Sequence, residues 1–190
     1  MKQAKTFRPD EIKRVLAYVG TRRHAVRDRA IVVTSFQSGM RAHEMASLRI
    51  GDVIDEDGQV RNEVILKPEQ TKGRFTRRVF INAKLKKELA VYLKKTYAEL
   101  PTTEPLFRSQ KRRAFNGNTM CQLFLNIYKA AGIKGASSHS GRRTFITSLA
   151  GKSISVRVLA ALAGHSSIAT TQRYIDVNDD QLRNAVELVS

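Results

Sequence analysis

The sequence predicts a mainly α-helical fold with a small three-stranded antiparallel β-sheet, an α+β class. Apolar residues recur at helical spacing before residue 49 and again from residue 85 onward. Between these stretches, residues 53–81 contain short runs rich in β-branched side chains, which are typical of paired strands. The 190 residues are 42% hydrophobic, enough to form one core, so we expect a single domain over residues 1–190.

Three helices are predicted in the first 50 residues. Pro9 suits the first turn of a helix, although Arg8 is a poor N-cap. The apolar face of this helix is formed by Ile12, Val15, Leu16 and Val19. A second helix contains the apolar run 30–36 and ends near Gly39, and a third covers residues 41–48.

The predicted sheet occupies the next 30 residues. Its strands are residues 53–54, 60–66 and 77–81, and the Asp-Gly pair at 57–58 is a hairpin turn signal between the first two. A polar loop, residues 67–75, joins the second strand to the third.

Helices return in the second half of the chain. Leu85, Leu89, Tyr92 and Leu93 form one apolar face, and a basic loop follows over residues 101–118. The next helix is expected to be capped by Asn118 or Thr119 and to end at Gly132. Further helices are predicted over residues 140–150, 155–163 and 167–174, with a tail helix within residues 176–190.

The charge of the chain indicates a polyanionic partner. The 34 Lys and Arg residues exceed the 17 Asp and Glu residues, so the formal net charge is +17. Nucleic acid is the first candidate and an acidic membrane surface the second. A single cysteine, Cys121, excludes an internal disulfide, and no apolar run is long enough to span a membrane. Without a secretory signal, we expect a cytoplasmic protein.

Three familiar catalytic motifs are incomplete. Residues 150–153 end like a phosphate-binding P-loop, but the upstream glycine is replaced by Ile146. The pair at 43–44 begins like a zinc-protease helix but lacks the second histidine, and Ser140 lacks the glycine before a nucleophile elbow. These incomplete motifs give no reason to expect ATP, zinc or serine chemistry.

Four short segments carry a more specific chemistry. They are residues 38–44, 70–77, 138–144 and 162–174. Six of their side chains offer the relevant chemistry: Arg41, Lys72, His139, Arg142, His165 and Tyr174. Phosphodiester cleavage without a metal needs this set. Guanidinium groups stabilise the charge on the phosphoryl oxygens, neutral histidine can activate a tyrosine hydroxyl, and lysine can protonate the leaving oxygen.

The same segments resemble the tyrosine recombinase (phage integrase) family. The matching motifs are Gly39-x-Arg41-x-x-Glu44, the hairpin lysine Lys72, the His139-x-x-Arg142 box, the Gly164-His165 pair, and Tyr174 nine residues later. They occur in the family's order and cover residues 7–189. The resemblance implies that the arginines clamp the scissile phosphate and Lys72 is the general acid. It also implies that His139 acts on the tyrosine, His165 bonds the phosphate, Tyr174 forms a 3′-phosphotyrosyl link and Glu44 supports its neighbours.

The resemblance further implies double-stranded DNA as the partner and no metal or other cofactor. Basic residues outside the catalytic set are expected to contact the DNA backbone: Arg74, Arg77, Arg108, Lys111, Arg112, Arg113 and Arg143. We expect a monomer in the free state and a homotetramer on DNA, with the 176–190 tail packing on its own domain or on a neighbouring protomer.

Most members of the family carry an N-terminal helical DNA-binding domain that is absent here, so the chain is either a fragment or a naturally short recombinase. Integration or excision of a mobile element is the expected role. Two other functions stay open: relaxation of supercoils in the manner of a type IB topoisomerase, and non-catalytic regulation by DNA binding.

Overall fold

The helices and strands of the computed structural model follow the predicted order along the chain. The structure describes residues 4–96, 101–152, 154–175, 182–183 and 186–187. The first half contains α1 (Pro9–Gly20), α2 (Ala25–Ser38), α3 (Ala42–Ala46), α4 (Ile50–Val53), β1 (Glu63–Leu66), a 3-10 turn (Pro68–Gln70) and β2 (Arg77–Phe80). The second half contains α5 (Ala83–Thr96), α6 (Gly117–Ala130), α7 (Ser140–Ala150), α8 (Val156–Ala163) and α9 (Ile168–Gln172).

Helix α2 is the central element of the core. It packs against α1, α3, α5 and α7. Four consecutive residues, Ala30 to Val33, are all buried, as expected for a helix surrounded by others. The helix ends at Gly39, whose φ of 61° is left-handed. A Cβ at this position would lie 2.5 Å from Cδ1 of Phe145, so both the conformation and the packing require glycine.

The segment before α1 is held against the core. Phe7 is 5% exposed, and its ring lies 5.1 Å from that of Phe36 and 4.9 Å from that of Tyr128. The backbone N–H of Phe7 donates to Oγ1 of Thr144 on α7 at 2.9 Å. The first residues of the described chain are therefore fixed to the same helix that carries His139 and Arg142 at its start.

The sheet has two strands, so the prediction of three is wrong in this detail. Strands β1 and β2 pair antiparallel, with Glu63 opposite Phe80. The predicted first strand contributes only an isolated bridge between Ile54 and Val60, because residues 50–53 wind into α4. The Ile50 amide of this turn donates to the Glu104 carbonyl at 2.9 Å, which ties it to the following loop instead of to a sheet. The predicted Asp-Gly turn is present, since the Gly58 amide donates to the Asp55 carbonyl at 3.1 Å, but it is closed by the isolated Ile54–Val60 bridge and does not join two strands.

Several helix boundaries differ from the prediction. Helix α3 ends at Ala46 and not at residue 48. The N-cap of α6 is Asn116, because its side-chain oxygen accepts the Thr119 amide at 2.8 Å while the Thr119 hydroxyl accepts the Asn116 amide at 3.0 Å. Helix α9 ends at Gln172, which leaves Tyr174 in the turn beyond it. Helices α7 and α8 match their predicted ranges within one residue.

The predicted tail helix lies almost entirely outside the described residues. Of its apolar stripe, Leu182 and Val186 are described, and they are 56% and 69% exposed. In the part of the chain that the structure describes, none of the helices has the length and apolar character needed to cross a bilayer.

Candidate active site

The fold brings the six predicted catalytic residues to one side of the domain. Arg41 precedes α3, Lys72 lies before β2, His139 and Arg142 begin α7, His165 follows α8, and Tyr174 follows α9. They line two cavities. One, of about 340 Å³, is lined by Arg41, Lys72 and His165, and the other, of about 930 Å³, by His139, Arg142 and Tyr174. Thr170 lines both cavities, so the two adjoin.

Arg142 is buried without a carboxylate partner. Its side chain donates to the Gly39 carbonyl at 2.8 Å and to the Ala163 carbonyl at 2.5 Å, and none of the described acidic residues forms an ion pair with it. Burial lowers the pKa of Arg142 to about 9, and the neighbouring charges of Arg41 and Arg77 act in the same direction. This value is still above neutral, so the guanidinium is charged at pH 7 and available to an anion.

The C-terminal end of α8 binds three arginines. Its last carbonyls have no partner within the helix and carry the negative end of the helix dipole. Those of Leu162, Ala163 and Gly164 accept from Arg77 at 2.8 Å, Arg142 at 2.5 Å and Arg41 at 3.5 Å respectively. Three guanidinium groups from three different elements are thus gathered at one helix end.

A fully buried carboxylate, Glu44, joins two of these arginines. Its Oε1 accepts from Arg41 at 2.8 Å and its Oε2 from Arg77 at 2.5 Å, and Oε2 also accepts the Arg41 amide at 2.9 Å. Burial acts to raise the pKa of Glu44, but the charges of Arg77 and Arg41 outweigh it, so the pKa lies below its ordinary value. One carboxylate therefore pairs with two of the three guanidinium groups, and positive charge is in excess.

Arg77 is predicted from the sequence to contact the DNA backbone, but its side chain is only 4% exposed and is enclosed beside Glu44. Its Nε has no hydrogen-bond partner among the described residues. The alternation of side chains along a strand could have indicated this, because Arg77 shares a face with the buried Val79 and opposes the exposed Arg78.

Unlike Arg77 and Arg142, which are buried, Lys72 is exposed on a loop. Thr71 closes this loop: its hydroxyl donates to the Phe75 carbonyl at 2.8 Å and lies 3.2 Å from the Phe75 amide. The Lys72 ammonium forms no hydrogen bond or ion pair with the described residues, although it lines the same cavity as Arg41 and His165. The side chain is therefore free to move toward a bound substrate.

The surroundings of His139 and His165 favour the neutral imidazole. The ring of His165 is held by Nδ1, 2.9 Å from Oγ1 of Thr171. Burial, then the charges of Arg142 and Arg41, lower the pKa of His165 to about 4. The same causes, desolvation followed by nearby positive charge, lower the pKa of His139. A neutral imidazole can accept a proton, which is the property a general base requires. No cluster of three His, Cys, Asp or Glu side chains suited to a metal ion occurs in the described ranges.

Tyr174 is half-buried between charged and aromatic groups. Its ring stacks on that of His165, with centroids 5.8 Å apart and an interplanar angle of 21°. The guanidinium carbon of Arg143 lies 5.2 Å from the centroid of the tyrosine ring. The tyrosine amide bonds the Thr171 carbonyl at 2.9 Å, which continues the α9 turn.

The remaining predicted DNA contacts lie at the surface. Arg74 is exposed and has a left-handed φ of 53°, and Arg112, also exposed, has a φ of 56°. Lys111 and Arg113 are exposed beside it, while Arg108 pairs with Glu104. The exposed side chains can reach a ligand without disturbing the packing of the core.

Comparison with known proteins gives consistent similarities. The model of the phage integrase family matches residues 5–181. A curated relative, the tyrosine recombinase XerA of Pyrococcus furiosus, is 28% identical over 183 residues, which cover 96% of this chain and 61% of the relative. The chain therefore spans about three-fifths of the length of that relative.

Solved structures show the same fold. The crystal structure of XerA recombinase matches with a TM-score of 0.76 and 26% identity, covering 99% of this chain and 64% of the other. The Tn1549 transposon integrase in complex with circular intermediate DNA has a TM-score of 0.79 at 17% identity, with 100% and 68% covered. The catalytic domain of bacteriophage HP1 integrase has a TM-score of 0.67 at 23% identity, with 98% and 96% covered. The last two similarities concern the fold alone.

Proposed function

Because the chain belongs to the phage integrase family of tyrosine recombinases, we propose that it is the catalytic domain of a site-specific DNA recombinase. It would cleave and rejoin DNA strands through a covalent bond between Tyr174 and a 3′ phosphate. The likeness to the HP1 integrase catalytic domain, which this chain covers almost completely, supports the assignment of residues 1–190 to a single catalytic domain.

The observation that carries this proposal is the excess of positive charge around Arg142. A buried guanidinium without a carboxylate partner binds an anion more strongly than an exposed one, since water does not screen it. A phosphodiester supplies one negative charge in the ground state, and more charge develops on its oxygens as a nucleophile attacks. Arg142 and Arg41 would bind those oxygens, with Arg77 and Glu44 keeping Arg41 in place.

The reaction would proceed in two steps of the same kind. The Tyr174 oxygen attacks phosphorus while its proton passes to His139, and a Tyr174–phosphate bond forms as the bond to the 5′ oxygen breaks. Lys72 donates a proton to that oxygen, which leaves as a hydroxyl. His165 donates a hydrogen bond to the phosphate. A 5′ hydroxyl from the same or another strand then reverses the sequence, so the phosphate bond energy is retained and neither ATP nor a metal is consumed.

Biologically, the domain would serve the integration or excision of a mobile element in the cytoplasm, as a monomer when free and a homotetramer on DNA. The Tn1549 transposon integrase, described as bound to transposon and circular intermediate DNA, is a neighbour in fold that supports this role. The net charge of +17 supports DNA as the partner, and the exposed Arg74, Lys111, Arg112 and Arg113 are suited to its backbone.

The decisive test is a covalent adduct on a denaturing gel. The protein is mixed with a nicked suicide duplex or supercoiled DNA in EDTA, beside Tyr174→Phe. We expect an adduct with the wild type only, while Tyr174→Phe binds DNA with nearly unchanged affinity. An adduct that persists in Tyr174→Phe would refute the nucleophile. DNA binding without any adduct would instead favour a non-catalytic regulator, and relaxation of the plasmid without strand exchange would favour topoisomerase-like activity.

A further inference from the structure

Arg143 lies beside the ring of Tyr174, and the proposed reaction gives it no role. Its guanidinium carbon lies 5.2 Å from the centroid of the tyrosine ring, within the distance of a cation–π contact. The ring also stacks on His165. Two neighbours from different elements, one at the start of α7 and one after α8, thus restrict the orientation of the same phenol.

Arg143 is itself held in place. Its Nε donates to Oγ1 of Thr6 at 3.0 Å. Thr6 is fixed in turn, because the next residue, Phe7, is buried in the core and its amide donates to Thr144, the residue that follows Arg143. The side chain of Arg143 is therefore in position before any substrate binds, and it is half-buried.

The helix geometry separates the two consecutive arginines. Successive residues of an α-helix point about 100° apart, so they do not face the same group. Arg142 turns inward to the carbonyls of Gly39 and Ala163, whereas Arg143 turns to Thr6 and Tyr174. Its environment differs from that of the exposed Arg112, which has no such contacts among the described residues.

We propose that Arg143 is a positioning residue for Tyr174, and not a DNA-backbone contact as the sequence alone suggests. The inference rests on the proposed function, since it concerns the nucleophile of that reaction. The planar guanidinium holds the phenol near its own protomer's phosphate clamp, and Thr6 holds the guanidinium. Displacement of a reacting atom by about 1 Å can lower a rate about 100-fold, so loss of this contact slows cleavage without weakening DNA binding.

The test compares three variants on a nicked suicide duplex: Arg143→Gln, Arg143→Lys and Thr6→Val. The cleavage rate is measured at saturating protein, and the dissociation constant is measured separately in the Tyr174→Phe background over a range of salt. We expect Arg143→Gln to lower the rate about 10- to 100-fold and to leave the dissociation constant and its salt dependence unchanged. Thr6→Val, which keeps the charge, lowers the rate less, and it adds little in the Arg143→Gln background because both act on one contact.

Arg143→Lys retains a cation but loses the planar group bonded to Thr6, so its rate lies between those of wild type and Arg143→Gln. The matched control is Arg23→Gln, which removes one exposed charge at the opposite end of α2, about 20 Å from Gly39. The proposal would be overturned if Arg143→Gln bound DNA more weakly, with a salt slope reduced by about one unit, and cleaved it at an unchanged rate. That result would indicate a phosphate contact. If the wild type forms no adduct, the proposed function fails. If the wild type forms the adduct and Arg143→Gln cleaves at the same rate, only this inference fails.

Discussion

Two parts of the site are built in opposite ways. The clamp, formed by Arg41, Glu44, Arg77 and Arg142, is mostly buried and is tied to backbone carbonyls of α8 and to the end of α2. The reactive pair, Lys72 and Tyr174, lies on an exposed loop and in a turn beyond a short helix. The clamp is held by buried contacts with the core, whereas Lys72 has no hydrogen-bond or ion-pair partner among the described residues and Tyr174 is held through its ring by His165 and Arg143.

The difference has a physical reason. A group that stabilises developing charge is most effective when its orientation is fixed and water is excluded, because no reorganisation is then needed during the reaction. A nucleophile and a proton donor must approach a substrate that arrives from solvent, so they need room to move. Changes in the clamp should therefore alter both catalysis and folding, while changes in the reactive pair should alter catalysis alone.

The largest effect is expected from Arg142, the clamp arginine that has no carboxylate partner. Arg142→Ala should lower the cleavage rate by about 1000-fold or more, because the developing charge then lacks a desolvated donor. The rate is measured on the suicide duplex with the protein in excess. Cleavage within a few-fold of wild type would show that Arg142 does not contact the transition state.

The Lys72→Ala variant tests the other part of the site. We expect cleavage to fall about 100-fold or more while the melting temperature stays nearly unchanged, because the Lys72 side chain is exposed and forms no hydrogen bond or ion pair with the described residues. A substrate with sulfur in place of the 5′ bridging oxygen supplies the control, since a thiolate leaves without protonation. That substrate should restore the variant to nearly the wild-type rate; a persistent defect would assign Lys72 a role other than proton donation.

The Glu44→Gln variant should lower stability as well as cleavage. Removing one partner of a buried ion pair leaves Arg77 uncompensated, and we expect a loss of about 3 kcal/mol in the free energy of unfolding by urea. Glu63→Gln is the matched control, since its pair with Arg78 is exposed and is worth under about 1 kcal/mol. Equal losses in the two variants would contradict the distinction between the buried and exposed parts.

The smallest effect is a pH dependence of folding. The folded-state pKa of His165, about 4, is below the ordinary value of 6.5. The unfolded chain therefore takes up the proton first as the pH falls from about 6.5, and stability decreases toward pH 5. His165 is half-buried, so solvent screening limits its share to about 1 kcal/mol or less. Thermal melts of His165→Gln should show a shallower decline over this range than wild type, and an unchanged slope would argue against the shift.

The sequence was sufficient to predict most of the helices and the six candidate residues that the fold brings to one side of the domain, because helical periodicity and motif order are local signals. It was not sufficient for the sheet edge, where the contact of Ile50 with Glu104, more than 50 residues away, decides the structure. The burial of Arg77 was missed for a different reason. The alternation along β2 was a local signal that its side chain faces the core, but its partner, Glu44, is brought to it only by the folded chain.

Gly39 has no reactive side chain, yet it restricts which substitutions the site can accept. The residue supplies one carbonyl to Arg142, and its left-handed conformation and its contact with Phe145 make any side chain at this position strained. Arg41 follows two residues later, so one substitution here displaces both arms that would hold the phosphate. A saturation scan scored by recombination should rank this position among the least permissive in the chain. A library of variants should keep Gly39 fixed and vary the exposed residues 110–113 instead.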